Sequence, residues 1–346
     1  MITLHDHNDT NFDRLGIGSL ADTVSCIVAR KIPGGIYELE MHYRTGGIYA
    51  DQIQPDEIIV CRPNTYDRPQ PFRIRDVGKD IDGKFKIYAV HVSDRIRHVP
   101  VMPFTATGIE AALSRLSDAA VLPHPFEFYT DFTSTAAFSI AEPRSMRDAM
   151  FGTEGSLLDI YGGEWDFDRY ECRLMQHIGQ DRGATITYGY NMVDCKQTAS
   201  LRTALTGIVP FWKPDTDGIV TLPERLLTRP NALSYGRVEV VDFSAEIQEK
   251  PTVAQLRAAA QAYLASNAAT VPTVSISTSP APIGLETVRL GDTIRVEFRR
   301  IGVSTTAEAI GYKYNVLSEQ YESIDIGDVT QSFAETIANL IKAKGR

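Results

Sequence analysis

The amino-acid sequence predicts a β-rich α+β protein of several domains, and three observations predict it. The chain has 346 residues, more than a single compact core accommodates, so two to four domains are expected. Short runs in which apolar and polar residues alternate recur along most of it, the period of half-buried strands. A few stretches with apolar residues at i, i+3 and i+4 interrupt those runs, the period of helices. Apolar residues at 43% and charged residues at 23% are ordinary for a folded chain.

The elements follow in chain order. Residues 1–103 read as strands: Ile36–Tyr43, Glu57–Cys61, Pro71–Arg75 and Lys84–Val90, with Asp80-Ile81-Asp82-Gly83 as the turn before the last. Short strands with polar turns suggest a small barrel or curled sheet, completed by the strand-like residues 201–243. Residues 104–200 read as an α+β unit. There Thr107-x-x-Glu110 has the form of a capping box before a helix with Ile109, Leu113 and Leu116 on one face, and Ser145-x-x-Asp148 opens a second helical stretch. Phe126–Tyr129 and Ala137–Ile140 read as strands between them. In residues 244–283, Thr252-x-x-Gln255 starts a helix carrying Val253, Leu256, Ala260 and Leu264, and a strand-like stretch runs into the linker Ser279-Pro280-Ala281-Pro282. Residues 284–346 return to strands and close with a helix striped by Phe333, Ile337, Leu340 and Ile341. Asp56-Glu57-Ile58-Ile59-Val60 is faintly echoed by Gly291-Asp292-Thr293-Ile294-Arg295-Val296, and two further strands follow each.

Charge and composition exclude several classes. The formal net charge is −9, with no run of Lys or Arg. Gripping nucleic acid requires a basic stripe that displaces counterions, so a nucleic-acid binder is not expected. A mildly acidic surface suits a conduit that DNA passes without sticking. The N-terminus lacks a basic head and apolar run, and no apolar stretch is long enough to span a bilayer, so synthesis and folding in the cytoplasm are expected. Cys26, Cys61, Cys172 and Cys195 are far apart and read as small buried hydrophobes.

Four groupings raise the question of chemistry. Glu164, Asp166 and Asp168 alternate with Trp165 and Phe167, which puts three carboxylates on one strand face and the aromatics on the other. Tyr170, Cys172 and Leu174 then return to the aromatic face, with Glu171 and Arg173 outward. Paired carboxylates can cleave glycosides, yet nothing nearby raises one carboxyl pKa, so an amphipathic hairpin with a solvated acidic face is expected. His5, Asp6, His7 and Asp9 form a His-x-His grouping near the N-terminus, without the helical partner spacing of a metalloprotease. Gly16-x-Gly18-x-x-Ala21 lacks the strand that a dinucleotide fingerprint needs before it. Cys172 or Cys195 with His177 would need to meet in space to act as nucleophile and base. No catalytic, metal or cofactor site is expected.

One motif is more specific. Gly155–Asp168, with Gly162-Gly163-Glu164-Trp165-Asp166-Phe167-Asp168 at its end, resembles the prophage tail endopeptidase family of phage minor tail proteins. In that family a short helix leads into such a hairpin, and an aspartate-arginine-glycine turn comes later. Here the turn is Asp181-Arg182-Gly183, before strand-like Ala184–Gly189. The C-terminal stretch resembles the family too, in Leu290-Gly291-Asp292-Thr293-Ile294-Arg295-Val296, Tyr312–Leu317 and Tyr321–Gly327. The matched regions lie in family order at roughly residues 145–210 and 285–330.

The resemblance implies a multi-domain baseplate-hub fold with two β-barrel-like tube domains, residues 1–103 and 284–346, plus smaller α+β domains at 104–200 and 244–283. It implies a homotrimeric ring in the virion, at the tail tip or baseplate. The expected partners are the distal tail protein or tail-tube ring above, the C-terminus of the tape-measure protein in the lumen, and tip, spike or receptor-binding proteins below. A cell-wall endopeptidase of the tail tip is the alternative. Gly162, Gly163, Glu164, Trp165, Phe167, Asp181, Arg182, Gly183, Gly291 and Asp292 are expected to serve as structural residues, none of them catalytic. A carbohydrate-binding module using exposed Trp165 or Trp212 is a third reading.

Overall fold

The computed structural model describes residues 1–32, 35–79, 82–151, 155–187, 190–200, 205–213, 218–228, 237–244, 247, 249–266, 273–280, 287–298 and 303–327. Its largest element is an eleven-stranded sheet, referred to below as the wall sheet. Its strands in chain order are β1 (Thr3–His5), β2 (Gly18–Ser19), β3 (Thr23–Lys31), β4 (Ile36–Arg44), β5 (Ile58–Cys61), β6 (Gln70–Lys79), β7 (Lys84–His91), β8 (Asp181–Thr187), β9 (Thr293–Phe298), β10 (Val303–Asn315) and β11 (Gln320–Ile326). The spatial order is β8-β9-β10-β3-β4-β7-β6-β5-β1-β2, and β11 pairs β10.

Alternation decides which face is covered. On β4, Tyr37, Leu39, Met41 and Tyr43 are buried while Glu40 and Arg44 are exposed. Cys26 and Val28 on β3, Ile87 and Ala89 on β7, and Ile294 and Val296 on β9 join them in one core. Fully burying side chains of this size removes about 1.5–3 kcal/mol of apolar hydration each, so this face holds the sheet together.

The faint internal echo corresponds to a repeated backbone arrangement. Strands β5-β6-β7 and β9-β10-β11 are both antiparallel meanders. Asp56 and Gly291 occupy the equivalent position before each, both with φ of 82°. Asp56 N donates to Ile74 O and Ile74 N to Glu57 O, at 2.9 and 2.8 Å. In the second unit Gly291 N donates to Ala309 O and Ala309 N to Asp292 O, at 2.8 and 2.9 Å. The preceding turn is closed alike, by Glu57 N on Gln54 O and by Asp292 N on Arg289 O. Even the irregularity recurs, between Ile74 and Asp76 on β6 and between Ala309 and Gly311 on β10. Two units of one design therefore lie in the same sheet.

Two sequence expectations are corrected here. Among the described residues the strand order is an open path and closes no barrel. The reason is β10, 13 residues long, which pairs β9 along its first half and both β3 and β11 along its second. The N-terminal strands continue, through the pairing of β3 with β10, into β8 to β11, whereas the described strands of residues 205–242 pair among themselves. There Leu205–Trp212 is flanked by Val220–Thr221, Leu227–Thr228 and Arg237–Asp242. The helix Val253–Ser266 covers that small sheet with Leu256, Ala260 and Leu264. Its capping box is formed, with Gln255 N donating to Thr252 Oγ1 and Thr252 N to Gln255 Oε1.

A second core spans residues 96–174. It contains the helix Ile109–Asp118, whose N-cap is Gly108 at φ 86° with no side-chain cap, so the capping box expected from Thr107 does not form. Ser145 does cap the short helix Met146–Met150 by accepting from Asp148 N. The stretch leading into the expected linker is a strand, Thr273–Pro280, paired with Met192–Ser200. The C-terminal helix expected around Phe333 lies outside the described residues, as do Asp80 and Ile81 of the expected turn. No helix of the described residues is long and apolar enough to cross a membrane.

Candidate functional site

The residues singled out by sequence converge where the hairpin meets the wall sheet. The helix Leu157–Tyr161 ends at Gly162, whose φ of 69° turns the chain out of the helix. Gly163 follows at φ 87°, and a Cβ there would lie 2.5 Å from Met175 O, so only glycine passes. Strands Glu164–Asp168 and Glu171–Met175 then pair antiparallel, with Trp165 opposite Leu174 and Phe167 opposite Cys172. Trp165 is buried, stacks with Phe167 and donates from Nε1 to Met150 O at 3.1 Å. The aromatic face of the hairpin is packed, as alternation predicts.

The acidic face is not solvated, which corrects the sequence reading. Arg30 of β3 reaches Asp166, Nη2 to Oδ1, at 2.5 Å. Asp168 accepts from Arg68 Nε at 2.6 Å, from Gln70 Nε2 at 2.7 Å and from Arg173 Nη2 at 3.1 Å. Burial alone would raise the Asp168 carboxyl, but the bonds from Arg68 and Gln70 outweigh it and hold it below the usual aspartate range. Burial likewise opposes the charge on Arg30, and Asp166 first, with Tyr37, Tyr312 and Asp67, more than restores it. The turn residue Arg169, at φ 58°, donates from its backbone N to Gln70 Oε1 and from its guanidinium to Asp13. Gln70 Oε1 is also bonded to His91 Nε2, and His91 Nδ1 to Ser93. Burial pushes the His91 imidazole well below its ordinary pKa.

Sequence reasoning missed Arg30, Arg68, Gln70 and Asp13, because their contacts with the hairpin span 98–156 residues of chain, and with them His91, which joins through Gln70. One signal was present. Arg30 falls in step with Cys26 and Val28 on the inward face of β3, and a charge at an apolar position demands a partner.

The second half of the motif set meets nearby. Asp292, almost fully buried, accepts from Gln180 N at 2.8 Å, Arg289 N at 2.8 Å and Arg182 Nε at 3.0 Å. Gly291 stands at φ 82° and touches Gly179 so closely that a Cβ on Gly179 would fall 1.8 Å from Gly291 C. Asp181-Arg182-Gly183 is not a turn before a strand but the bulged start of β8, with Gly183 at φ 76° accommodating the register shift.

This arrangement holds modules together; it does not assemble a catalytic constellation among the described residues. Cys172 points into the hairpin core, and burial pushes its thiol up, away from the thiolate a nucleophile needs. The Cys195 side chain lies outside the described residues. His177 Nδ1 is bonded to Glu164 Oε1 at 3.0 Å. Trp165 and Trp212 are both buried, and Trp212 Nε1 donates to Ile247 O, so neither is an exposed sugar platform. Among the described residues, two groupings bring potential metal ligands within 4.8 Å of one another: Glu164, His177 and Glu308, and Asp6, His7 and Glu57. His5 and His7 do not share a face. The strand ends at His5, which is buried and bonded to Thr3 and Asp9, and the turn carries His7 outward.

Comparisons with known proteins agree with this picture. Residues 180–337 match the model of the family described as prophage endopeptidase tail. The whole chain superposes on the prophage tail protein gp18 from Listeria monocytogenes EGD-e, with a TM-score of 0.60 and 14% identity, covering 100% of this chain and 99% of that one. The tail protein from Neisseria meningitidis MC58 gives a TM-score of 0.57 at 10% identity, over 95% and 96% of the two chains. The 43 kDa tail protein of prophage MuSo2 from Shewanella oneidensis gives 0.58 at 11% identity, over 88% and 94%. No curated protein matches significantly in sequence. The likeness to solved structures is one of fold, and the resemblance to the family is borne out over residues 180–337, which include the C-terminal strands; the hairpin Glu164–Met175 lies outside the matched residues, inside a chain with the fold of prophage tail proteins.

Proposed function

We propose that this chain is a structural hub protein at the distal end of a phage or phage-like tail. Three copies close into a ring that joins the six-fold tail tube and distal tail protein to a three-fold tip. Its lumen takes the C-terminus of the tape-measure protein and later passes DNA.

The observation that carries this reading is the repeated meander. Units β5-β6-β7 and β9-β10-β11 share the turn, the bonding and the irregularity, so each chain brings two near-equivalent wall segments. Three such chains present six segments to a six-fold neighbour while keeping three-fold symmetry at the other end. The net charge of −9 favours a channel that does not retain DNA. The paired acidic face of the hairpin supports a scaffolding role, since its carboxylates are spent on arginines.

Light scattering on the purified chain tests the proposal, together with electron microscopy of the particles. A mass of three chains and a ring with a central hole is the expected result. A stable monomer, with no ring in the assembled particle, sinks it. The endopeptidase alternative predicts clearing of purified cell wall in a zymogram, abolished by a single substitution.

A further inference from the structure

We propose that a cavity between the wall sheet and the hairpin is the docking site of this chain's own C-terminal segment, residues 328–346. The segment seats an apolar side chain in the cavity and sets a lysine against Glu308 at its mouth. The inference does not rest on the hub reading.

The cavity has a volume of about 260 Å³. Phe151, Trp165 and Phe167 line it from the second core, and Ile36, Leu290 and Ile310 from the wall sheet and the turn before β9. An apolar space of roughly 150 Å³ holds a benzene ring, whereas small-molecule sites run from about 300 Å³ upward. The size therefore suits one or two side chains of a peptide. Tyr37 also lines the cavity, and its hydroxyl is buried without a hydrogen-bond partner. A buried phenol needs an acceptor, and a peptide carbonyl supplies one.

Charge narrows the kind of peptide. Glu164 and Glu308 line the cavity too, both partly exposed, with carboxylate oxygens within 4.8 Å of each other. Glu164 is bonded by His177 and by Ile178 N, while Glu308 has no ion pair among the described residues. The cations that line the cavity are engaged elsewhere, Arg30 with Asp166 and Lys31 with Asp325. Two carboxylates so close favour the approach of a further cation.

The course of the chain selects the segment. Gly327 N donates to Glu308 O at 2.8 Å, and a Cβ on Gly327 would lie 3.1 Å from Ile310 Cγ2. The chain thus arrives at residue 328 beside two residues of the cavity wall. Residues 328–346 carry Phe333, Ile337, Leu340 and Ile341, followed by Lys342 and Lys344. At 3.3–3.6 Å per residue the chain spans about 20 Å between Gly327 and Phe333, and the later residues have more reach still. Apolar anchors followed by lysines match apolar walls beside two carboxylates.

The test is hydrogen exchange of the full chain, read by mass spectrometry, with any purification tag at the N-terminus. Amides within residues 328–346 should exchange about tenfold or more slowly than in the same sequence as a free peptide. Ile36→Glu puts a charge into the apolar wall at a position that is 40% exposed, so the variant is expected to fold. It should abolish the protection of 328–346 while exchange in β3, β4 and β7 stays unchanged. Glu308→Lys should weaken the protection, and combining it with Lys342→Glu and Lys344→Glu should restore it. Benzoylphenylalanine in place of Phe333, in a mixture of isotope-labelled and unlabelled chains, should crosslink to cavity residues within one chain. Exchange of 328–346 at the free-peptide rate in the folded wild type overturns the proposal. So does protection that Ile36→Glu leaves intact. Crosslinks that join labelled to unlabelled chains overturn it too, and assign the cavity to a second copy.

Discussion

Arg182 donates from Nε to Asp292 Oδ2 at 3.0 Å, and so joins two motifs separated by 110 residues. The pair lies where the segment leaving the hairpin passes under the turn that opens the second wall unit. Asp292 also takes two backbone N–H groups, from Gln180 and Arg289, so one buried carboxylate fixes three chain segments. Arg182→Ala removes the charged donor while leaving the backbone bonds. The expected cost is about 1.5–3 kcal/mol, read as a lower urea midpoint with unchanged slope. Asp292→Ala strands all three donors and should cost more. Equal effects would argue against the carboxylate as the organising group.

Arg30, buried, and Asp166, partly buried, form a pair that couples the wall sheet to the hairpin. Without Arg30 the partly exposed Asp166 keeps only Arg173, at 3.8 Å, and Arg30→Met should destabilise by about 1.5–3 kcal/mol. Replacing both, as Arg30→Met with Asp166→Leu, should recover a large part of that loss. A double-mutant cycle measures it. A coupling energy near zero would mean that the modules dock through apolar contacts alone.

The sequence reading found what is local. The alternation of Glu164–Asp168, the cap at Ser145 and the box at Thr252 are written in neighbouring residues, and the structure contains all of them. Long-range pairing was not legible. Nothing in the period of residues 201–243 says whether they join the N-terminal strands, and the same pattern satisfies either sheet. The acidic face misled for the same reason. Its partners Arg68 and Gln70 are ordinary residues locally, and only Arg30, in step with the apolar Cys26 and Val28, carries a local signal that it faces inward. The repeat was visible as five or six similar residues, because backbone geometry is conserved between the units where side chains are not: Asp56 and Gly291 share φ 82° with different chemistry.

His91 should make stability depend on pH. Its imidazole is buried neutral, so its folded pKa lies well below the ordinary 6.5. Between those values the unfolded chain binds the extra proton. The stabilisation is therefore complete above about pH 6.5 and is lost as pH falls from there towards the folded value, at up to about 1.4 kcal/mol per pH unit. His91→Gln, which keeps a hydrogen-bonding side chain beside Ser93, should flatten the slope of the urea midpoint between pH 6.5 and 4.5. An unchanged slope would assign the acid sensitivity to other groups.

Trp165 separates the area it buries from the bond it makes. Its ring packs against Phe151 and Phe167, and Nε1 donates to Met150 O at the end of the helix Met146–Met150. Trp165→Ala loses both and should cost about 3–5 kcal/mol. Trp165→Phe keeps most of the apolar contact and strands only the Met150 carbonyl, for about 1–3 kcal/mol. Thermal and urea unfolding of the two variants distinguish the contributions. If Phe is as damaging as Ala, the bond to Met150 fixes the hairpin on its helix. If Phe is nearly neutral, packing does. A near-unchanged melting temperature for Ala would contradict the buried position of the ring, and with it the hairpin's place in the second core.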